Sequence, residues 1–132
     1  MPRWSKGELA RIVEADDLKI APLREDGVTH GTPTWIWCVS VGGALYVRAY
    51  SGRKSSWYVA AMRQKKGRIV AAGKTRNVFF APVAGKAINA RIDDAYREKY
   101  RTSKFLKPMV GARVRAATVR ITPRRARPEA AR

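Results

Sequence analysis

The segment TWIWCVSVGGALYVRAYSGRKSS, residues 34–56, carries the clearest pattern of secondary structure in the sequence. Its first eight residues are apolar on both faces of an extended chain, which is typical of a buried strand. Trp35 and Trp37 are predicted to share one face of this strand. The pair Gly42-Gly43 is typical of a two-residue hairpin turn, after which residues 44–50 return as the partner strand. The stretch therefore predicts an antiparallel hairpin with a buried aromatic face.

Apolar periodicity outside this stretch predicts the remaining elements. Ser5 is the expected N-cap of an amphipathic helix that ends near Ala15. A second helix is expected to follow Ser55, and helical spacing recurs over residues 88–100. Further strands are predicted at residues 18–22, 69–72, 75–83 and 114–122. About six mainly antiparallel strands with three short helices describe a small α+β barrel.

The charge of the chain is strongly positive and unevenly distributed. Its 132 residues include 28 Lys and Arg against 10 Asp and Glu, which gives a net charge of +18. Residues 27–92 contain no acidic side chain. A field of this sign attracts phosphate groups on nucleic acid, on an anionic cofactor or on an acidic substrate. The sign of the net charge alone does not distinguish among these three kinds of partner.

Composition also bounds the class of protein. With 45% hydrophobic residues the chain can bury a core, and one domain is expected over residues 1–123. Residues 124–132 lack core-forming side chains and are expected to be a disordered basic tail. One cysteine and one histidine exclude a disulfide framework and Cys-rich or His-pair zinc sites, so no metal is expected. We see neither a long apolar run nor a signal peptide, which favours a cytoplasmic protein without membrane contact.

Residues 46–56 contain the strongest candidate for a binding site. A strand delivers Arg48, a glycine-containing loop delivers Arg53 and Lys54, and a helix then begins with two serines. Cationic side chains, hydroxyls and free amides at a helix N-terminus together form an anion pocket. The competing interpretation is a solvated basic turn. The candidate set is completed by Ser51, Ser55 and Ser56.

Other chemically active residues have a structural interpretation beside a functional one. His30 is expected to be a loop residue, with a cofactor or substrate contact as the alternative. Cys38 lies in a predicted strand and is expected to be a buried, inert thiol. Asp16 and Asp17 are expected to form a strand-entry turn, with a two-carboxylate acid/base site as the alternative. The aromatic pair at 57–58 is expected in the core rather than against a cofactor ring.

Several of these segments resemble known protein families. Residues 35–39, the glycine pair, and residues 45–48 and 51–54 resemble the start of an FMN-binding split β-barrel. That superfamily contains pyridoxine 5′-phosphate oxidase and the deazaflavin-dependent nitroreductases. Residues 4–123 as a whole are similar to an uncharacterised bacterial family, domain-of-unknown-function family 2255, with residues 31–37 among the shared features.

The resemblance implies a split β-barrel that forms a homodimer and binds FMN or a related flavin or deazaflavin. In such barrels a Pro-x-Trp-like segment, here residues 33–35, meets the isoalloxazine ring, and a Ser-Arg-Lys-like loop, here residues 51–54, holds the phosphate. The protein would then be an oxidoreductase acting on a small molecule, and the cofactor would carry the hydride chemistry. No side chain is therefore assigned as a general acid or base. The residues implied in cofactor binding are Pro33, Thr34, Trp35, Trp37, Arg48, Ser51, Arg53, Lys54, Ser55 and Ser56.

Two alternatives to a flavin-dependent enzyme stay open. The same barrel can serve as a non-catalytic binding or interaction module. A nucleic-acid-binding protein is the second alternative, favoured by the net charge and the basic tail. It is opposed by the lack of a recognition-helix or RNA-binding sheet motif, and by aromatic residues in patterns expected of a core.

Overall fold

An antiparallel sheet is the framework of the molecule. The computed structural model describes residues 3–124, and within them the chain forms seven strands. These are β1 (Lys19–Pro22), β2 (Thr34–Trp35), β3 (Cys38–Val41), β4 (Ala44–Arg48), β5 (Lys66–Ala71), β6 (Lys74–Pro82) and β7 (Thr118–Pro123). Their order in the sheet is β2-β1-β5-β6-β7-β4-β3, and every neighbouring pair is antiparallel. The predicted α+β class is confirmed.

Five α-helices and one 3-10 helix complete the part of the chain that the structure describes. They are α1 (Lys6–Ala15), the 3-10 helix (Gly52–Lys54), α2 (Ser56–Gln64), α3 (Lys86–Lys99), α4 (Leu106–Met109) and α5 (Ala112–Arg115). Over residues 3–124, none of these helices has the length and apolar character needed to cross a bilayer.

The start of α1 is fixed by a side-chain cap and by a buried indole. The Ser5 hydroxyl accepts a hydrogen bond from the Glu8 amide at 3.1 Å, so the predicted cap is confirmed. The indole of Trp4 donates to the Ile121 carbonyl at 2.8 Å in a buried position. The cap fixes where α1 begins, and the Trp4 hydrogen bond attaches this end of the helix to β7, 117 residues away in the sequence.

The strand predicted at residues 34–41 is interrupted, and this break closes the sheet. The ladder of β2 is formed with β1, with Lys19 opposite Trp35, whereas β3 pairs with β4. Strands β2 and β3 lie at opposite ends of the strand order but are separated only by Ile36 and Trp37. Because the three Cα–Cα steps from Trp35 to Cys38 span only about 10 Å, the sheet must curl until its two edges approach each other. The prediction of one continuous strand with a shared face was wrong at this point.

Two hairpin turns use the left-handed region of backbone conformation. Gly42 and Gly43 have φ of 58° and 80°, the pair of positive values that a type I′ turn requires, so the predicted hairpin is confirmed. The second hairpin turns at Ala72 and Gly73, where φ is 51° and 76°. The predicted strands at residues 69–72 and 75–83 place this turn at residues 73–74, which is one residue later than observed.

The sheet has an apolar cluster on each face. The first cluster lies between the sheet and helices α1 and α2, and it contains Trp57, with Tyr58 packed against it, as predicted. The second cluster lies on the side covered by α3, α4 and α5. Its fully buried members include Ile92 and Tyr96 of α3. Both faces of the β3-β4 hairpin are therefore buried.

The C-terminal strand starts later and ends later than predicted. Val114 belongs to α5, and β7 begins only at Thr118. Arg124 donates its backbone amide to the Asn77 carbonyl at 2.8 Å, so the paired chain extends one residue into the predicted tail. The rest of that tail, residues 125–132, lies outside the described residues.

Candidate binding cleft

A cleft opens where the two edges of the sheet approach each other. It has a volume of about 280 Å³ and an almost entirely apolar lining. Three lining residues come from the end of β2 and the break that follows it, two from the last residue of β4 and the segment after it, and two from α4 and the residue preceding it. They are Trp35, Ile36, Trp37, Arg48, Tyr50, Phe105 and Met109.

The rim of this cleft consists of half-exposed aromatic side chains. Trp35 is 56% exposed, Tyr50 48% and Phe105 49%. Tyr50 and Phe105 meet edge to face, with ring centroids 6.3 Å apart. A group of large, exposed apolar side chains is typical of a surface that binds a ligand or another protein.

The wall formed by Trp37 is supported from behind by α3. Trp37 stacks on Tyr100, with ring centroids 4.0 Å apart. The Tyr100 hydroxyl donates to the Asp16 carboxylate at 2.5 Å, and the Cys38 carbonyl oxygen lies 3.3 Å from the same hydroxyl. On the rim, the Trp35 indole donates to the Asp16 carbonyl at 3.3 Å. Asp16 thus positions both tryptophans, one directly and one through Tyr100.

The acidic pair Asp16 and Asp17 serves structure. Asp16 ends α1 with φ of 50° and forms an ion pair with Lys99 at 3.2 Å. Asp17 accepts the Ala72 amide at 2.9 Å, which fastens the β5-β6 turn. Their carboxylates are engaged in separate contacts, in agreement with the expected turn and not with a paired acid/base site.

Arg48 lies at the inner end of the cleft, but its guanidinium is already fully bonded. The side chain is buried and donates five hydrogen bonds, to Thr118, Asp93, the Met109 carbonyl and two oxygens of Asn89. An arginine has five N–H groups. In this arrangement Arg48 has none left for a phosphate, so it shapes the cleft rather than presenting charge to it.

Asp93 is the acidic centre of this buried network, and the sequence analysis did not identify it. Its carboxylate accepts hydrogen bonds from both Arg48 and Arg115. Asn89 and Asp93 are one helical turn apart, on the face of α3 that also buries Ile92. Polar residues at apolar positions of a helical repeat are the sequence signal that could have revealed the network.

The predicted phosphate loop follows the cleft directly along the chain. Residues after Tyr50 form the 3-10 helix, in which Gly52 has φ of 74° and is buried against Arg113. Arg113 donates to the Tyr50 carbonyl at 3.1 Å, and Arg53 Nε donates to the Ala116 carbonyl at 3.3 Å. Lys54 is exposed. The loop is thus fixed by hydrogen bonds to α5 and the residue that follows it, while the side chains of Arg53 and Lys54 are exposed.

The serines of the candidate set are not used as helix caps. Ser55 occupies the predicted N-cap position of α2, but its hydroxyl makes no capping hydrogen bond. Ser51 and Ser56 are exposed on either side of it. The hydroxyl of Ser55 therefore accepts no hydrogen bond from the first amides of α2.

The structure brings together only part of the predicted site. Trp35, Trp37 and Arg48 line the cleft. Pro33 and Thr34 are exposed at the start of β2 and do not line it. The loop members are placed beyond Tyr50 rather than in the lining: Ser51, Arg53, Lys54, Ser55 and Ser56.

Cys38 behaves as expected of a buried thiol. Its side chain is inaccessible, and burial raises the pKa of the thiol to about 11. The neighbouring Lys99 ammonium donates to the Cys38 carbonyl at 2.7 Å. Cys38 is therefore protonated at neutral pH and unsuited to nucleophilic chemistry.

Comparison with solved structures identifies the fold. The conserved hypothetical protein Rv2991 from Mycobacterium tuberculosis superposes with a TM-score of 0.61 at 18% identity, over 94% of this chain and 83% of its own. A putative pyridoxamine 5′-phosphate oxidase from Listeria innocua superposes with a TM-score of 0.64 at 12% identity, over 90% of this chain and 92% of its own. These likenesses confirm the split β-barrel fold predicted from sequence.

Comparison of sequences identifies the family. Among curated proteins, none matches the chain. Residues 8–121 match the family described as uncharacterised protein conserved in bacteria, DUF2255. The chain therefore belongs to this bacterial family and folds as a split β-barrel.

Proposed function

We propose that the protein binds a flavin-type cofactor, FMN or a related flavin or deazaflavin, with its ring in the aromatic cleft. One observation carries the proposal: an apolar cleft with three half-exposed aromatic residues adjoins a loop with outward-facing cations. A flat conjugated ring stacks well on indole and phenol rings. A phosphate is attracted to the cations beside them.

The size of the cleft supports a position of the flavin ring inside it and of the cofactor phosphate outside it. Its volume of about 280 Å³ lies just below the usual range of ligand pockets, roughly 300–1,000 Å³, so it is too small to enclose a whole flavin nucleotide. The lining is apolar, and Arg48 is saturated by protein acceptors. We therefore assign the ring to the cleft and the phosphate to residues 51–54.

The loop can supply the phosphate contacts in place of Arg48. Within the part of the chain that the structure describes, Arg53 is exposed and donates only through Nε, so its two terminal amino groups can donate to a phosphate. Lys54 adds a second positive charge, and Ser55 and Ser56 add hydroxyls at the first turn of α2. The positive end of the helix dipole favours an anion at the same place.

The similarity to a putative pyridoxamine 5′-phosphate oxidase supports an oxidoreductase acting on a small molecule. We propose no acid or base among the side chains, since a flavin itself carries the hydride chemistry.

We also propose a homodimer, in which a second copy covers the exposed rim of Trp35, Tyr50 and Phe105. A clean monomer by light scattering at micromolar concentration would contradict the dimer.

A second candidate is single-stranded nucleic acid, and the same rim favours it. Exposed aromatic rings beside basic residues stack bases without sequence preference, and Lys104 lies 5.4 Å from the centre of the Phe105 ring. The salt dependence of oligonucleotide binding tests this candidate. If nucleic acid is the ligand, deleting residues 125–132 should make oligonucleotide binding less dependent on salt concentration. If a flavin is the ligand, the same deletion should leave flavin affinity unchanged.

The absorbance spectrum of freshly purified protein, with its melting temperature in excess FMN, FAD or deazaflavin, tests the flavin proposal. We expect a flavin-type absorption band or a rise in melting temperature with one of the three. Trp35→Ala should abolish that rise, whereas Val59→Ala, which changes a half-exposed apolar residue outside the cleft, should preserve it. A colourless protein whose melting temperature no cofactor changes would overturn the proposal.

A further inference from the structure

Two buried nitrogen atoms lack hydrogen-bond partners, and they belong to the same part of the sheet. Among the buried side-chain nitrogen and oxygen atoms of residues 3–124, only His30 Nε2 and Arg68 Nε are unpaired. A buried polar atom without a partner is rare in native proteins and costs about 1–3 kcal/mol. Because the described residues supply no acceptor for either nitrogen, the acceptor must come from outside them, as water or as a bound anion.

Strand register places both side chains on one face of the sheet. His30 lies opposite Leu23, and Arg68 lies opposite Ala21. Residues two apart in a strand share a face, as do directly opposed residues. Ala21 and Leu23 are buried but belong to neither apolar cluster. His30 and Arg68 therefore share the face of β1 and β5 that is turned away from the α2 core.

The surroundings of these two side chains are cationic. Arg124 reaches the same region from β7, where its guanidinium donates to the Val78 and Gly67 carbonyls. Arg24 donates through Nε to the His30 carbonyl. In the described residues, none of the arginines Arg24, Arg68 and Arg124 forms an ion pair.

The carboxylate of this hairpin is engaged elsewhere. Asp26 accepts the amides of Val28 and Thr29 at 2.9 and 2.8 Å and also the Thr29 hydroxyl. These hydrogen bonds lower its pKa to about 2. Asp26 therefore stays charged within its own turn, where it also attracts Arg24. Within residues 3–124, Arg68 and Arg124 have no ion-pair partner.

We propose that His30 and Arg68 form a binding site for a tetrahedral oxyanion, such as a phosphate or sulfate group, on this outer face. His30 Nε2–H and Arg68 Nε–H would each donate to one oxygen, and Arg124 and Arg24 would contribute charge. The two unpaired nitrogens then gain the acceptor that the protein does not supply. The site is separate from the aromatic cleft and does not depend on flavin binding.

Occupation of this site must couple to protonation of the imidazole. Burial, and then the charges of Arg68 and Arg124, lower the pKa of His30 below its ordinary value. A bound dianion reverses the electrostatic part of this effect, because an opposite charge in contact raises the pKa of a base, by about 1–3 units in known cases. Since the chain has a single histidine, its titration can be followed without ambiguity.

The test is an NMR titration of the His30 ring proton in untagged protein, from pH 5 to 8. Sodium sulfate is the probe because its charge is constant over this range, and sodium chloride of equal ionic strength is the reference. We expect the pKa of His30 to be higher in sulfate by about one unit or more. The ¹⁵N signal of Arg68 Nε should move with sulfate concentration as well. Equal pKa values in the two salts would overturn the proposal.

A matched pair of substitutions locates the effect. Arg68→Lys keeps the charge but removes the unpaired Nε donor, so the sulfate response of His30 should fall to a small fraction of that of the unmodified protein. Arg101→Lys makes the same change at an exposed position after α3 and should leave the response intact. A full sulfate response in Arg68→Lys would assign the anion to another place and overturn the site.

Discussion

Trp37 and Tyr100 stack face to face, with ring centroids 4.0 Å apart and planes 5° from parallel. Trp37 lines the cleft, and the Tyr100 hydroxyl is bonded to the Asp16 carboxylate. Burial first, and then this bond, raise the pKa of Tyr100 well above its ordinary value, so the hydroxyl remains a donor. One wall of the cleft is thus fixed to the ends of both α1 and α3.

Removing that hydroxyl should loosen the wall while the ring stack persists. Tyr100→Phe removes one donor to Asp16, whose carboxylate keeps its ion pair with Lys99. Because the lost hydrogen bond is to a charged group, we expect a loss of about 1.5–3 kcal/mol in the free energy of unfolding, measured in urea. Tyr50→Phe is the matched control, because Tyr50 is half-exposed on the rim. Equal stabilities of Tyr100→Phe and the unmodified protein would show that the bond contributes nothing.

Asp93 should be the most sensitive charged position on α3. Asp93→Asn leaves the buried Arg48 without a counter-charge, which typically costs about 3–5 kcal/mol. Asp94→Asn removes the adjacent carboxylate, whose ion pair with Arg97 is exposed, and should change stability little. Urea denaturation of the two variants measures the difference, and similar losses in both would contradict the assigned role of Asp93.

The fold was largely predictable because local chemistry determines most of it. Ser5 caps α1 through its own hydroxyl, and Gly42-Gly43 turns because both residues adopt positive φ. These features depend on residues close in sequence. The break at Ile36 and Trp37 was not predictable, because it depends on β2 pairing with β1 across the curled sheet.

The candidate site was only partly predictable for the same reason. Three of the four aromatic residues of the cleft lie within residues 34–56, and the predicted pair Trp35 and Trp37 lines it. Arg48 resembles a ligand-binding cation in sequence, and its partners Asp93 and Thr118 are 45 and 70 residues away. Only the tertiary structure shows that its donors are already used.

The pH dependence of stability should carry the signature of His30. Because its pKa is lower in the folded state, the unfolded chain binds more protons below about pH 6.5, and stability falls as the pH decreases toward the folded value. His30→Gln should remove this dependence between pH 7 and 5, where histidine is the side chain that ordinarily titrates. Chemical denaturation in chloride buffer at several pH values measures it. Identical pH profiles for the variant and the unmodified protein would refute the assignment.

Gly67 should tolerate no side chain. A Cβ there would lie 2.6 Å from the Ala21 carbonyl oxygen and 2.8 Å from the Phe80 ring. We expect Gly67→Ala to lose about 1–3 kcal/mol or more, since the backbone of β1 must move. Gly7→Ala in α1, where the nearest atom is a flexible Arg11 nitrogen at 3.5 Å, should preserve or raise stability. Thermal denaturation compares the two, and a neutral Gly67→Ala would contradict the close approach of β1 and β5.

Binding of a flavin-type ring in the cleft, with its phosphate on residues 51–54, is best tested by comparing FMN with riboflavin, which lacks the phosphate. Fluorescence titration should show FMN binding at least about a hundredfold more tightly, because two charge-assisted contacts contribute roughly 1.5–3 kcal/mol each. The double variant Arg53→Ala with Lys54→Ala should reduce FMN to the affinity of riboflavin. The control Arg11→Ala with Lys19→Ala, which removes two exposed charges elsewhere, should not. Equal affinities of FMN for the loop variant and the control would contradict the account.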